Sequence, residues 1–130
     1  MPLPYVIDSE HRVVRVRLEG RITGPLIAEA ISAIYNDPRW QKGFDVLWNA
    51  RQITELIFEP EDQPGFVALQ RTLGPLAGDG RDVILVSRPI DAAMAAAYKH
   101  MARAVRQVHV VRTDEEVRTI LGWSNDVSIE

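Results

Sequence analysis

The sequence predicts an α/β fold: a mixed, mostly parallel five-stranded sheet with four helices. Three observations predict it. Strand-like apolar runs alternate along the chain with longer stretches of helical spacing, which is typical of β-α-β units. Two of these runs, FDVLWNA and DVILVS, show little alternation of apolar and polar residues, as strands covered on both faces do. A third run, VVRVRLEG, alternates regularly and therefore predicts a strand with one buried and one solvated face.

The first elements are two short strands around a turn at Asp8–His11, within YVIDSEHRVVRVRLEG. The first helix follows in TGPLIAEAISAIYNDP, where Pro25 suits the first turn and Asp37–Pro38 end the helix. Its predicted apolar face consists of Ile27, Ala30, Ile31 and Ile34.

The later elements alternate strand and helix. The second helix lies between the two continuous apolar strands, and its predicted inner residues are Phe66, Leu69, Leu73 and Leu76. The third helix is RPIDAAMAAAYKHMARAV, with predicted inner residues Ile90, Met94, Ala97, Met101 and Val105. The strand VHVVR precedes the last helix, TDEEVRTILGW, in which Thr113 and Glu116 form a capping box and Gly122 ends the helix.

The resulting order is β-β-α-β-α-β-α-β-α. Strands separated by helices imply right-handed crossovers and parallel pairing, and the first strand joins as an antiparallel edge. We expect a single domain over residues 1–123 and a flexible polar tail, SNDVSIE, over residues 124–130.

This order of elements resembles the STAS or SpoIIAA-like fold, named for bacterial anti-sigma-factor antagonists. The resemblance spans roughly Tyr5 to Trp123. It depends on the element order, on DVLWNARQITEL, which looks like that family's third strand and following loop, and on the closing EEVRTILGW. It implies a domain that binds protein partners or small ligands and is not an enzyme.

The phosphorylation switch of the antagonists is not expected in this chain. In those proteins a Ser in the loop that leads into the second helix is phosphorylated, and this changes partner binding. The matching region, Arg51 to Phe66, contains no Ser, and Thr54 lies too early in it. Glu59, Glu61 and Asp62 stand there instead. Some SpoIIAA-like relatives are associated with apolar ligands and membrane surfaces, which gives a second implied function.

Composition and charge exclude several classes of function. The formal net charge is -3, and phosphate contacts demand clustered cations, so no nucleic-acid partner is expected. There is no cysteine, which excludes disulfides, thiolate zinc sites and Cys nucleophiles. The start, MPLPYVIDSE, lacks the regions of a signal peptide, and no apolar run approaches the roughly 20 residues of a membrane helix. We therefore expect a cytoplasmic protein with no integral membrane segment. The preference for Arg over Lys favours a GC-rich bacterial genome as its source.

No residue is predicted to be catalytic or to bind a metal or cofactor. His11, His100 and His109 fall on three different elements without metal-ligand spacing. Ser87 follows a strand in LVSRP, which is not the G-x-S-x-G pattern of a nucleophile elbow. GDGRD precedes a strand instead of leading from a strand into a helix, so a turn is predicted there and not a phosphate loop.

One part of the chain is predicted to form a site. Ligands of open parallel sheets lie beyond the carboxyl ends of the strands, where connections start at Asn49 and Ser87. The first spans about ten residues from Ala50 to Glu59, longer than the usual two to six. It contains four large apolar residues, Ile53, Leu56, Ile57 and Phe58. Leaving each of these side chains in water would cost about 1.5–3 kcal/mol relative to burying it. The loop is therefore a lid over an apolar pocket, half of a dimer patch, or a cap on the protein's own core. The candidate ligand- or partner-binding residues are Asn49, Arg51, Ile53, Leu56, Ile57, Phe58, Ser87, Arg88 and Asp91.

The predicted function is a non-catalytic cytoplasmic binding or regulatory domain of STAS-like type that lacks the phospho-acceptor Ser. The alternative is a carrier or sensor of an apolar small molecule or lipid, with membrane contact. The expected partner is a protein or an apolar small molecule, and a homodimer is kept as a further alternative. A long apolar pocket under the 51–59 segment would favour the carrier, and a flat apolar patch matched across a two-fold axis would favour the binding module.

Overall fold

The computed structural model describes residues 2–130, and its elements follow the predicted order. The strands are β1 (Tyr5–Asp8), β2 (Val13–Thr23), β3 (Asp45–Ile57), β4 (Arg81–Leu85) and β5 (Gln107–Val111). The helices are α1 (Gly24–Asn36), α2 (Asp62–Ala77), α3 (Pro89–Ala102) and α4 (Asp114–Leu121).

The strands form one sheet in the spatial order β1-β2-β3-β4-β5, which is also their order along the chain. β1 pairs antiparallel with β2, and the other three pairs are parallel. This confirms the predicted mixed sheet with an antiparallel edge strand. Right-handed crossovers between successive parallel neighbours all leave from the same side of a sheet. Accordingly, α1, α2 and α3 cover one face, and α4, which follows β5, covers the other.

Each face of the sheet has its own apolar core. The first core lies between the sheet and α1, α2 and α3, and its buried residues include Val14, Val16, Ile31, Ile34, Val46, Trp48 and Phe66. The second, smaller core lies between the sheet and α4, and it includes Leu47, Leu85 and Val117. Leu47 and Leu85 have no exposed surface, as expected for strands that are covered on both faces.

The segment after Asn49, which the sequence predicts to be a long loop, is strand, so that prediction is wrong. β3 continues to Ile57 and pairs with β2 as far as Thr23. The register between the two strands shifts after Arg17 and again after Gly20, so bulges absorb the break in the apolar pattern around Asn49. β-branched residues are frequent in the segment and favour extended backbone. The connection to α2 is therefore short, residues 58–61.

The inner face of α3 also differs from the predicted one. Its buried residues are Asp91, Ala95, Tyr98 and Ala102. Ile90 and Met101, which were predicted to face inward, are 59% and 41% exposed. The helix is rotated by about one residue from the predicted orientation, and this places small and polar side chains against the sheet.

The other two helices of this layer follow the prediction more closely. The face of α1 is as predicted, with Ala30, Ile31 and Ile34 buried. α2 buries Phe66 as predicted but leaves Leu76 exposed, and it buries Gln63 and Gln70 instead. Among residues 2–130 no helix has both the length and the apolar character needed to cross a membrane.

Residues 124–130, expected to be a flexible polar tail, fold back over the second core. Ile129 is 5% exposed and packs within that core. The Ser128 carbonyl accepts a hydrogen bond from Arg15 Nε at 2.9 Å, and Glu130 Oε1 accepts one from Arg51 Nη2 at 3.1 Å. The expectation of a frayed tail is wrong because one apolar side chain and two charge-assisted hydrogen bonds hold the segment on the sheet.

Candidate functional site

The structure distributes the nine candidate residues over both faces of the sheet. Four of them line one cavity on the side of the first core: Ile53, Leu56, Phe58 and Asp91. Two lie on the opposite face, beside the C-terminal residues: Asn49 and Arg51. The remaining three do not line the cavity: Ile57, Ser87 and Arg88.

The cavity lies between the sheet and the layer formed by α1, α2 and α3, and its volume is about 90 Å³. One water needs about 10–15 Å³ of such space, so the cavity has room for roughly six to nine water-sized groups. Most of its walls are apolar. Besides the candidates named above, its apolar lining includes Leu18, Ile27, Ile31, Trp48, Ala50, Phe66, Ile84, Val86 and Met94.

The exposure of the lining residues defines a mouth and a floor. The mouth consists of the five half-buried lining residues: Ile27, Leu56, Phe58, Ile84 and Met94. The floor consists of four buried residues: Trp48, Gln70, Asp82 and Tyr98. Phe66 joins the two, because its ring packs edge-on against Phe58 at 5.4 Å between centroids and against Tyr98 at 6.2 Å. An aromatic wall therefore runs from the mouth to the floor.

Asp82, at the start of β4, is the centre of a polar network in the floor. Its Oδ1 accepts hydrogen bonds from Trp48 Nε1 and Arg106 Nη2, both at 3.3 Å. Its Oδ2 accepts one from Gln70 Nε2 at 3.4 Å. The same oxygen lies 3.2 Å from Arg106 Nε, at an angle too bent for a hydrogen bond. Gln70 Oε1 in turn accepts a hydrogen bond from the Tyr35 hydroxyl at 3.0 Å. The buried carboxylate is thus paired with a guanidinium and held by neutral donors.

Electrostatics fix the protonation of this network. Burial raises the pKa of both Tyr35 and Tyr98, and the negative charge of Asp82 raises it further. Burial is the largest single effect and acts to lower the pKa of Arg106, but the charge of Asp82, its hydrogen bond and the two tyrosines together outweigh burial, and the pKa is raised. Near neutral pH both phenols are therefore protonated and Arg106 is charged.

The second carboxylate in the lining is paired in the same manner. Asp91 is 3% exposed, and its two oxygens accept hydrogen bonds from Arg88 Nε at 2.7 Å and Arg88 Nη2 at 2.9 Å. The hydrogen bond to Asp91 is also the main reason that the pKa of Arg88 is raised. Arg88 Nη1 donates to the Thr54 carbonyl at 2.6 Å. This guanidinium therefore ties the start of α3 to the far end of β3 and fixes two walls of the mouth.

On the opposite face, Asn49 and Arg51 bind the protein's own groups. Arg51 Nη1 donates to Asp114 Oδ1 at 2.9 Å, and Asn49 Nδ2 donates to Glu130 Oε1 at 3.2 Å. Ser87 Oγ donates to the Arg51 carbonyl at 3.3 Å. The sheet separates these side chains from Phe58, so the structure does not bring all nine candidates into one site.

Sequence reasoning missed most of the polar floor. The missed residues are Gln70, Asp82 and Tyr98 in the floor, Gln63 elsewhere in the lining, and Arg106, which pairs with Asp82. One signal could have found two of them: Gln63 and Gln70 are seven residues apart, so both share a helical face with Phe66. Asp82 and Arg106 carry no such signal, because each is a single charge at the start of a different strand region.

The turn between β1 and β2 brings together Asp8, Glu10 and His11, whose ligand atoms lie within 4.8 Å of one another. Asp8 Oδ2 already accepts from His11 Nδ1 at 2.7 Å and from Arg15 Nη1 at 2.8 Å. Burial raises the pKa of Asp8, but the hydrogen bonds from Arg15 and His11 outweigh burial and lower it to about 2. The guanidinium of Arg15 lies where a metal cation would have to bind. The cluster is therefore an ion pair within the turn.

The antiparallel edge strand, the parallel strands in chain order and the four helices define a STAS-like α/β fold. Its likeness to a solved structure supports this. The anti-sigma factor antagonist SpoIIAA, in its unphosphorylated form, matches with a TM-score of 0.53 and 15% sequence identity, over 92% of this chain and 97% of that chain. The fold predicted from the element order is thereby confirmed. No protein-family model matches the chain, and no curated protein matches it.

Proposed function

We propose that this chain is a non-catalytic regulatory or sensor domain that binds a small apolar molecule in the cavity. The observation that carries the proposal is the cavity itself, with about 90 Å³ of space, apolar walls and a half-buried mouth. Leu56 and Phe58, which belong to the segment predicted to be a lid, a dimer patch or a cap on the core, lie at that mouth.

The size of the cavity supports occupancy by a ligand. Protein interiors are closely packed, and voids larger than a water molecule are few. At about 24 cal/mol per Å³ of filled space, an apolar occupant of this cavity would gain packing contacts of about 2 kcal/mol. The mouth residues are half-buried, so a ligand longer than the cavity can extend past Phe58 and Met94 toward the surface.

The chemistry of the lining supports a role without catalysis. Asp82 and Asp91 are each paired with an arginine, so neither carboxylate is positioned as a free base. The described lining residues include no His, Ser, Thr or Lys. Binding, and not a reaction, is the function that such a surface supports.

A second candidate is contact with a protein partner or a second copy of the chain. Ile90 and Met101 are exposed and lie 11 residues apart on α3, which places them on one side of the helix. The SpoIIAA structure is that of an anti-sigma factor antagonist, which also favours a regulatory role for this fold. Native mass spectrometry of the purified protein would report both the number of copies and any bound small molecule.

Thermal unfolding in the presence of isopropylbenzene tests the proposed function. Saturating isopropylbenzene should raise the melting temperature of the wild-type protein, because a ligand that binds the folded state stabilises it. Phe58→Ser removes one side of the mouth and should weaken binding about tenfold, which corresponds to about 1.4 kcal/mol of lost apolar contact.

Ile57→Ser is the matched control, since Ile57 is the preceding residue, is also half-buried and does not line the cavity. Its response to isopropylbenzene should equal that of the wild type. A wild-type melting temperature that does not change with isopropylbenzene would contradict the proposed function.

A further inference from the structure

We propose that the natural ligand carries an uncharged hydrogen-bond acceptor, such as a carbonyl or ether oxygen, which the Tyr98 hydroxyl binds at the floor of the cavity. The inference rests on the proposed function and specifies the chemical class of the ligand: a small apolar molecule with one neutral polar end.

The Tyr98 hydroxyl is the first observation behind this inference. Tyr98 is 9% exposed, and its hydroxyl is fully buried with no hydrogen-bond partner among residues 2–130. The residue nevertheless lines the cavity. Buried side-chain polar groups are hydrogen-bonded in the large majority of cases, so an unpaired hydroxyl beside a cavity indicates a partner that arrives with the ligand.

The neighbouring polar groups are already committed to one another. Each oxygen of Asp82 faces two nitrogen donors, from Trp48, Gln70 and Arg106. The amide oxygen of Gln70 accepts from Tyr35. The side chain of Gln70 lies close enough to act on the pKa of Tyr98, yet the Tyr98 hydroxyl makes no hydrogen bond with any of these groups. Because burial raises its pKa, the hydroxyl keeps that proton at neutral pH and is available as a donor.

The charges of the lining indicate that the ligand is neutral. Two carboxylates, Asp82 and Asp91, line the cavity, and each is paired with one arginine. An anionic ligand would lie beside both carboxylates without a free cation to bind. A cationic ligand would have to displace Arg88 or Arg106 from its partner. Burial of an unpaired charge is costly, so a neutral molecule fits this lining best.

Three probes of similar shape test the inference: isopropylbenzene, which has no acceptor, acetophenone, which has a neutral carbonyl, and benzoate, which is charged. Dissociation constants are measured for wild type, Tyr98→Phe and Tyr5→Phe. Tyr98→Phe should reduce the preference for acetophenone over isopropylbenzene about three- to tenfold, the usual effect of one hydrogen bond. Tyr5→Phe should leave it unchanged, because the Tyr5 hydroxyl bonds to Asp37 and not to the cavity. Benzoate should bind the wild type at least about tenfold more weakly than acetophenone.

The outcomes separate this inference from the proposed function. If isopropylbenzene binds and Tyr98→Phe keeps the wild-type preference for acetophenone, the cavity binds apolar molecules but Tyr98 does not bind their polar end. If benzoate binds as tightly as acetophenone, the ligand need not be neutral and that part of the inference fails. If no probe binds the wild type, both proposals fall. Thermal unfolding of each variant without ligand verifies that it is folded.

Discussion

Arg106 is a single buried cation whose removal would change the floor of the cavity. Its side chain and that of Asp82 are each 2% exposed, and its guanidinium lies 5.8 Å from the centre of the Tyr35 ring. Its Nη1 is buried without a partner among residues 2–130. Because taking both ions out of water is costly, such a pair contributes little net stability, yet the loss of one partner leaves the other uncompensated.

Arg106→Met should therefore destabilise the protein by about 3–5 kcal/mol, because the Asp82 carboxylate would remain buried without its cation. The double variant Asp82→Asn/Arg106→Met removes both charges and keeps an acceptor for Trp48. It should be at least about 1 kcal/mol more stable than Arg106→Met alone. Urea denaturation of wild type, both single variants and the double variant measures the coupling. If the losses of the two single variants add up to the loss of the double variant, the two charges do not interact.

Two segments of the chain approach each other closely where α2 leads into β4. A side chain at Gly80 would overlap the backbone carbonyl of Phe44, so the two segments can approach only with glycine there. Gly65, inside α2, has open space where a Cβ would be placed.

The two glycines should respond oppositely to the same substitution. Gly80→Ala should cost about 1–3 kcal/mol or more, because the overlap is with backbone that cannot rotate away. Gly65→Ala should stabilise the protein by about 0.5–1 kcal/mol, since alanine restricts the unfolded chain and suits a helix interior. Chemical denaturation of both variants provides the comparison. Equal losses would mean that the approach of Gly80 to Phe44 is looser than described.

Sequence periodicity predicted elements well where one physical signal dominated. The alternation in β2 and the capping box of α4 are examples, and in the latter the Thr113 hydroxyl accepts from the Glu116 amide at 3.2 Å. The inward face of α3 is harder to predict. Its stretch of alanines has weak periodicity, so two faces of the helix are about equally apolar. Tertiary contacts, including the pair between Arg88 and Asp91, select the face that turns inward.

The candidate site could be predicted only in part for a related reason. Leu56 and Phe58 were found because apolar residues in a supposed loop are conspicuous. The polar network was not found, since Asp82, Arg106 and Tyr98 lie far apart in sequence and meet only when β4, α3 and β5 are in place. The sequence also predicts too early an end for β3, because a bulge interrupts the apolar pattern of this strand near Asn49.

At the scale of the whole molecule, the second core is closed by the C-terminal segment. Ile129 is 5% exposed there, and α4 alone supplies few large side chains to that face. Ile90 is the same residue type at 59% exposure on α3.

Ile129→Ala should therefore cost about 2–5 kcal/mol, through lost burial and an unfilled cavity. Ile90→Ala, at an exposed helical position, should stay within about 0.5 kcal/mol. Urea titration of the two variants beside the wild type tests both the docking of residues 124–130 and the orientation of α3. A larger loss for Ile90→Ala than for Ile129→Ala would contradict both.

The coincidence of spatial and chain order in the sheet has a consequence for how the protein is made. Each strand that leaves the ribosome finds its neighbour already synthesised, and no later strand has to insert between two that have paired. The face that carries α1, α2 and α3 can close progressively in this way. The other face cannot, because α4 and Ile129 follow every strand in the chain. A nascent chain that stalls after β5 would thus have one finished face and one bare apolar face, which includes Leu47 and Leu85 and is the kind of surface that chaperones recognise.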